Sequence, residues 1–87
     1  MNYRVEFLRS AQREFLALPQ AERVRIGARI EALADNPRPP GCVRLSGQAK
    51  LWRIRVGNYR VIYAIEDSPR IVAIVRVAHR REVYRGL

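Results

Sequence analysis

The sequence predicts an α+β domain with helices packed on one face of a β-sheet. Three patterns predict it: an alternating N-terminal segment, two helical stripes separated by a proline, and two alternating runs joined at a glycine turn with a third run following. Tyr3, Val5 and Phe7 alternate with Arg4 and Glu6, the spacing of a first strand with one buried face. Ser10 reads as a helix N-cap, after which Ala11, Phe15 and Leu18 recur at helical spacing until Pro19 interrupts them. From Gln20 to about Ala34, Ile26, Ile30 and Leu33 form an apolar stripe beside Val24 and Ala28, with Glu22, Arg25 and Arg29 outside, so a helical hairpin is expected.

Residues 35–50, DNPRPPGCVRLSGQAK, contain three of the five prolines and two of the five glycines, which predicts a long surface loop. LWRIRV and YRVIYAIE then flank Gly57-Asn58, the two-residue hairpin signal, and IVAIVRVA follows DSPR as a further strand. The expected order is therefore an N-terminal strand, a two-helix hairpin and a three-stranded antiparallel meander, with the helices on one face of the sheet. A chain of 87 residues makes one domain, residues 1–87, with a modest core. Trp52, Ile54, Val61, Tyr63, Phe15, Ile30 and Leu33 are the expected core residues.

Seventeen Lys and Arg against eight Asp and Glu give a net charge of +9, and only Lys50 among the seventeen is not arginine. Arginine favours planar, bidentate contacts to phosphate or carboxylate, so the expected partner is anionic. Cys42 is the single cysteine, which excludes an internal disulfide and reads as a small loop hydrophobe. The start, NYRVEF, alternates charged and apolar side chains, and no apolar run approaches the roughly 18 residues of a membrane span. A soluble cytoplasmic chain with no membrane partner is expected.

If Gly57 and Asn58 form the turn, Val56 pairs with Tyr59, Arg55 with Arg60 and Ile54 with Val61. Strand alternation then places Arg53, Arg55 and Arg60 on one face and Trp52, Ile54, Val56, Tyr59, Val61 and Tyr63 on the other. Like charges directly opposed across an antiparallel pair weaken it, by a few tenths of a kcal/mol up to about 1. A purely structural role, such as keeping sheet edges apart, is served as well by mixed charges, so the cluster reads as an anion site. Pairing around Ser68-Pro69 without a bulge would send Arg76 to the apolar face. The tail HRREVYRGL adds His79, Arg80, Arg81, Tyr84 and Arg85 where the last strand ends, near the Gly57 turn.

The acids are scattered, no glycine-rich phosphate loop is present, and no His or Cys cluster has metal-ligand spacing, so no metal and no cofactor is expected. What remains is metal-free chemistry on a phosphodiester. RNA carries its own nucleophile, the 2′-hydroxyl. An enzyme need only remove that proton, stabilise charge on the phosphorane and protonate the departing 5′ oxygen. Arginine suits the middle task and, with a pKa above about 12, not the first. Tyr84 is the better base, since surrounding positive charge lowers a phenol pKa, with His79 in reserve.

RIRVGNYRVIY followed by VAHRREVY, behind a strand and two helices that end in NPRPPG and VRLSG, resembles the RelE/ParE toxin superfamily of toxin–antitoxin modules. The likeness runs from Tyr3 to Tyr84. In the RelE branch it implies a ribosome-dependent endoribonuclease that cuts mRNA and is neutralised by an antitoxin protein in a hetero-oligomer. The catalytic set then falls on Arg60, Arg80 and Tyr84, with Arg53, Arg55, His79 and Arg81 as substrate-binding residues. The best studied members of that branch carry lysines where this chain has Arg53 and Arg55, which moves the base role toward Tyr84. In the ParE branch the resemblance implies a DNA gyrase inhibitor without nuclease activity. A catalytically inactive antitoxin-binding partner is the third reading.

Overall fold

The computed structural model describes residues 2–45, 47 and 50–79, and these form two helices and a five-stranded sheet. In chain order the elements are β1 (Arg4–Phe7), α1 (Arg9–Leu16), α2 (Gln20–Ala32), β2 (Val43–Arg44), β3 (Leu51–Val56), β4 (Tyr59–Asp67) and β5 (Arg70–His79). The sheet order is β1-β5-β4-β3-β2. The expected meander is present as antiparallel β3-β4-β5, and β1 joins its far side parallel to β5, which makes the sheet mixed. Among the described residues of the expected loop, β2 forms a strand whose two residues pair with Arg53 and Trp52 on β3.

Both helices lie on one face. Ala11 and Leu18 of the α1 segment and Ile26, Ile30 and Leu33 of the α2 segment form one buried cluster with Ile54, Val56, Val61, Tyr63, Ile65, Val72, Ile74 and Val77 of the sheet. Phe15 and Trp52, two of the expected core residues, are half-buried and pack against that cluster. Each of the larger apolar side chains removed from water stabilises the fold by about 1.5–3 kcal/mol. Phe7 and Phe15 lock β1 to α1 with ring centroids 5.4 Å apart.

Three expectations change. Ser10 lies inside α1, whose N-cap is Leu8, and no side chain caps that end. Val24 and Ala28 are exposed, Val24 at 67% of its surface; at 100° per residue Val24 stands about 200° round the helix from Ile26, away from the sheet. The helix hairpin itself is tied by Arg23, whose guanidinium on α2 donates 3.0 Å to the Leu18 carbonyl in the link between the helices and 3.4 Å to the Leu16 carbonyl at the C-terminal end of α1. The third change concerns the last strand. A register shift opposite Ile62 and Tyr63 pairs Ile62 with Arg76 and Tyr63 with Ile74, so Arg76 shares the parity of Ile62 and not that of the core.

Candidate nucleic-acid interface

The β3–β4 hairpin turns at Gly57 with φ of 62°, while Asn58 keeps a negative φ, the pattern of a two-residue turn with glycine first. A side chain at Gly57 would be strained by that φ and would meet the Arg25 guanidinium at 2.6 Å. The turn sets the register: Arg55 stands directly opposite Arg60, Ile54 opposite Val61 and Arg53 opposite Ile62. Arg53, Arg55 and Arg60 therefore share the face turned away from the helices, as expected from the alternation.

Across the strands, this end of the face consists of two rows. One row is Val43, Arg53, Ile62 and Arg76; the other is Arg55, Arg60 and Ala78. Neither row holds a carboxylate. Ile62 is fully buried yet stands outside the core cluster, because it is on the opposite side of the sheet, so the arginines rise around an apolar floor. Arg55 is exposed and Arg53 and Arg60 are half-buried. Arg53 Nε and Arg60 Nη1 are buried with no hydrogen-bond partner. A buried donor left unpaired costs about 1–3 kcal/mol, and more when charged, so these two atoms are not there for stability. Two guanidinium groups that each keep a donor without a partner, in rows without a carboxylate, have the chemistry that suits an oxyanion.

Arg76 is held differently. Its Nε donates 3.0 Å to Glu14 Oε2, and the Val77 N–H donates 2.8 Å to Glu14 Oε1. Beyond Ile74 the outer edge of β5 has no β1 partner, since β1 ends opposite that residue, and the Glu14 carboxylate satisfies one of the edge donors. Sequence reasoning missed Glu14. The signal was present: Glu14 sits with Ala11, Phe15 and Leu18 at i, i+3, i+4 and i+7, an acid on the inward stripe of a helix.

His79 pairs with Tyr59, and their rings meet edge-on with centroids 5.7 Å apart. That places His79 on the strand parity opposite to Arg60, so it is not gathered with Arg53, Arg55 and Arg60. Arg80, Arg81 and Tyr84 lie outside the described residues. Tyr63 is no acid–base candidate: its hydroxyl is buried, donates 2.7 Å to the Pro37 carbonyl, and is pushed well above the ordinary phenol range by burial and then by the neighbouring Cys42 thiol. Among the described residues no three of His, Cys, Asp and Glu come together to hold a metal ion, and no helix is long and apolar enough to cross a membrane.

A helix hairpin on one face of a mixed sheet, with arginine-bearing rows that hold no carboxylate among the described residues on the other face, defines a small α+β domain. Comparison with known proteins makes the class specific. The chain belongs to the ParE toxin family of type II toxin–antitoxin systems, whose parDE family pattern matches residues 5–84, and so to the RelE/ParE superfamily. Toxin RelG of Mycobacterium tuberculosis is 34% identical over 88 residues, 98% of this chain and 99% of that one. A putative toxin RelE1 of Methanocaldococcus jannaschii is 28% identical over 89 residues, 99% of each. In the toxin–antitoxin complex RelBE2 of Mycobacterium tuberculosis, a chain of 29% identity superposes with a TM-score of 0.81, covering 92% of this chain and all of that one.

Proposed function

We propose that this toxin is a ribosome-dependent endoribonuclease that cleaves mRNA without a metal, through attack of the RNA's own 2′-hydroxyl on the adjacent phosphodiester. Proton removal from the 2′-hydroxyl forms the new O–P bond; the 5′ oxygen leaves with a proton, and the products carry a cyclic phosphate and a free 5′-hydroxyl. Arg60 and Arg80 stabilise the charge of the phosphorane and Tyr84 moves the protons. Arg53, Arg55, His79 and Arg81 bind the RNA. No cofactor enters this scheme.

The observation that carries the reading is the pair of buried, unpartnered guanidinium atoms, Arg53 Nε and Arg60 Nη1, on a face with no carboxylate in its rows. Donors fixed in advance and aimed at developing charge are the arrangement that lowers a phosphoryl-transfer barrier most. Acting on translating ribosomes places the protein in the cytoplasm. Its partner there is an antitoxin protein, as in the similar toxin–antitoxin complex from Mycobacterium tuberculosis.

A second reading rests on a specific observation: the family pattern that matches is the ParE one, which favours a DNA gyrase inhibitor. One experiment separates them. Purified protein is added to translating ribosomes and mRNA ends are mapped, with a gyrase supercoiling assay alongside. Codon-spaced cuts with normal supercoiling support the nuclease. Intact mRNA with lost supercoiling replaces it by the gyrase reading, and neither effect leaves the inactive antitoxin-binding partner.

A further inference from the structure

At the same end of the sheet as the arginines, along the β5 edge where Arg76 and Ala78 of the arginine rows adjoin Val77 and His79 of the helix side, an open cleft of ≈ 260 Å³ separates the C-terminal end of α1 from the ends of β4 and β5. Its lining is of three kinds. Tyr59 and His79 supply two aromatic rings, set edge to face. Leu18, Pro19 and Val77 supply apolar surface. Glu14 and Arg76 supply one polar wall, fixed by the 3.0 Å bond between them and by the 2.8 Å bond from the Val77 N–H.

A flat ring with apolar faces and a rim of donors and acceptors matches that lining; other small ligands do not. An aliphatic side chain would leave the Glu14–Arg76 wall desolvated without a partner. A free phosphate would face the Glu14 carboxylate. An ionised carboxylate has about four lone-pair sites, of which Arg76 and Val77 use two, so Glu14 still accepts from an exocyclic amine or ring N–H. Aromatic side chains in a basic groove are the usual platforms on which bases of single-stranded nucleic acid stack.

We infer that the cleft between α1 and the ends of β4 and β5 is a subsite for one nucleobase of a single-stranded RNA whose phosphate lies on the arginine face. The link between the two sites is short. Tyr59 and Arg60 are consecutive residues of β4 and point to opposite faces, so an RNA strand crossing the turn end of the β3–β4 hairpin places a phosphate on one and a base on the other. The inference rests on the RNA-cleaving reading of the arginine face for its choice of ligand.

The test uses nucleosides, which lack phosphate and therefore make no demand on the arginines. The isotope-labelled full chain is titrated with adenosine and with cytidine at millimolar concentration and followed by NMR. Saturable shifts are expected at the Ala17, Leu18, Val77 and Ala78 amides and the Tyr59 ring, with Arg53 and Arg55 unmoved. Tyr59→Leu, which keeps an apolar side chain against the core, is expected to weaken nucleoside binding about tenfold. Ala17→Phe is made at an exposed position and fills the cleft mouth; it is expected to abolish the shifts in a chain whose spectrum remains that of the folded protein. Absence of saturable shifts in the cleft, or equal binding by Ala17→Phe, overturns the inference. The two readings fail separately: codon-spaced cleavage without nucleoside shifts removes the subsite alone, whereas nucleoside shifts in a protein that leaves mRNA intact remove the nuclease and keep the subsite.

Discussion

At the Asp67 end of β4 both carboxylates have partners. The Tyr3 hydroxyl donates 2.6 Å to one Asp67 oxygen, Arg38 donates 3.3 Å to the other, and Arg38 also stacks over Trp52 at 5.3 Å. Lys50 reaches Glu66 at 3.3 Å on the neighbouring position. The Asp67 carboxyl is held below its ordinary range, first by the Tyr3 hydrogen bond and then by that from Arg38. At the Tyr59 end, eight residues away on the same strand, Arg60 faces Arg55, and Arg60 Nη1 and Arg53 Nε are buried with nothing to bond. One strand thus carries a closed polar cluster at one end and an open cationic one at the other. Both ends belong to the same strand, so the difference lies in where acids were placed.

The largest effect that breaks this contrast comes from Arg60→Ala. Loss of one preorganised donor to a developing oxyanion costs about 100-fold or more in rate, so mRNA cleavage in a translation extract should fall by at least that factor. The urea midpoint should change by less than about 1 kcal/mol in stability, because removal of the opposed charge offsets lost packing of the arginine stem. A large loss of stability with little loss of cleavage would make Arg60 structural and reverse the assignment of the two ends.

Next in size is Glu14→Ala. Glu14 is the carboxylate that the arginine end does use, and it acts on Arg76 and on the β5 edge. Its removal leaves the part-buried Val77 N–H without an acceptor, for an expected loss of about 1–3 kcal/mol measured by urea unfolding. Glu14→Gln keeps an acceptor and should lose clearly less. Equal losses in the two variants would mean that the charge on Arg76, and not the edge donor, is what Glu14 serves.

Much of this contrast was readable in the chain, and the unreadable part has a common cause. The alternation around Gly57-Asn58 assigned Arg53, Arg55 and Arg60 to one face and Ile54, Val61 and Tyr63 to the other, because a two-residue turn couples sequence spacing to register with no free parameter. For Arg76 the same rule left the outcome to a bulge. A bulge opposite Ile62 and Tyr63 adds one residue to β5, and no residue type in IVAIVRVA signals where it falls. The parallel pairing of β1 with β5 is likewise a contact between residues far apart in the chain, invisible to local periodicity. Val24 shows a different limit: an apolar stripe drawn from residue type alone was wider than the stripe the sheet covers. At the candidate site, the arginines were legible from spacing and opposed charge. The Glu14 carboxylate was legible only as an acid on an inward helix face, since its partners stand 62 and 63 positions away.

Smaller still is Arg55→Glu, which turns the opposed pair into an attractive one. The expected gain is a few tenths of a kcal/mol up to about 1, read as a raised urea midpoint, with cleavage reduced because a carboxylate now competes for Arg60. A lowered midpoint would show that the opposed arginines are held in the folded protein by something other than their distance from the acids.

The smallest expected effect lies at the closed end, where the groups are on the surface. Tyr3 donates to Asp67, and this raises the Tyr3 phenol above its ordinary 10.0 and lowers the Asp67 carboxyl below its ordinary 3.8. The two signs bound a window. A depressed carboxyl contributes stability above its unfolded pKa and loses it as pH falls through the folded value, hence below 3.8. A raised phenol contributes fully below its unfolded pKa and loses that contribution as pH rises through the folded value, hence above 10.0. The difference in urea midpoint between the native chain and Tyr3→Phe should therefore be flat between those limits and shrink toward zero outside both. Salt should barely alter it in the middle, because the bond is short and one partner is neutral, whereas binding of RNA at the other end of β4 should fall steeply with salt as counterions are released. A Tyr3→Phe difference that grows as the pH falls below 3.8 would mean that the phenol supports the protonated carboxyl, and the closed end would then be held together by packing and not by charge.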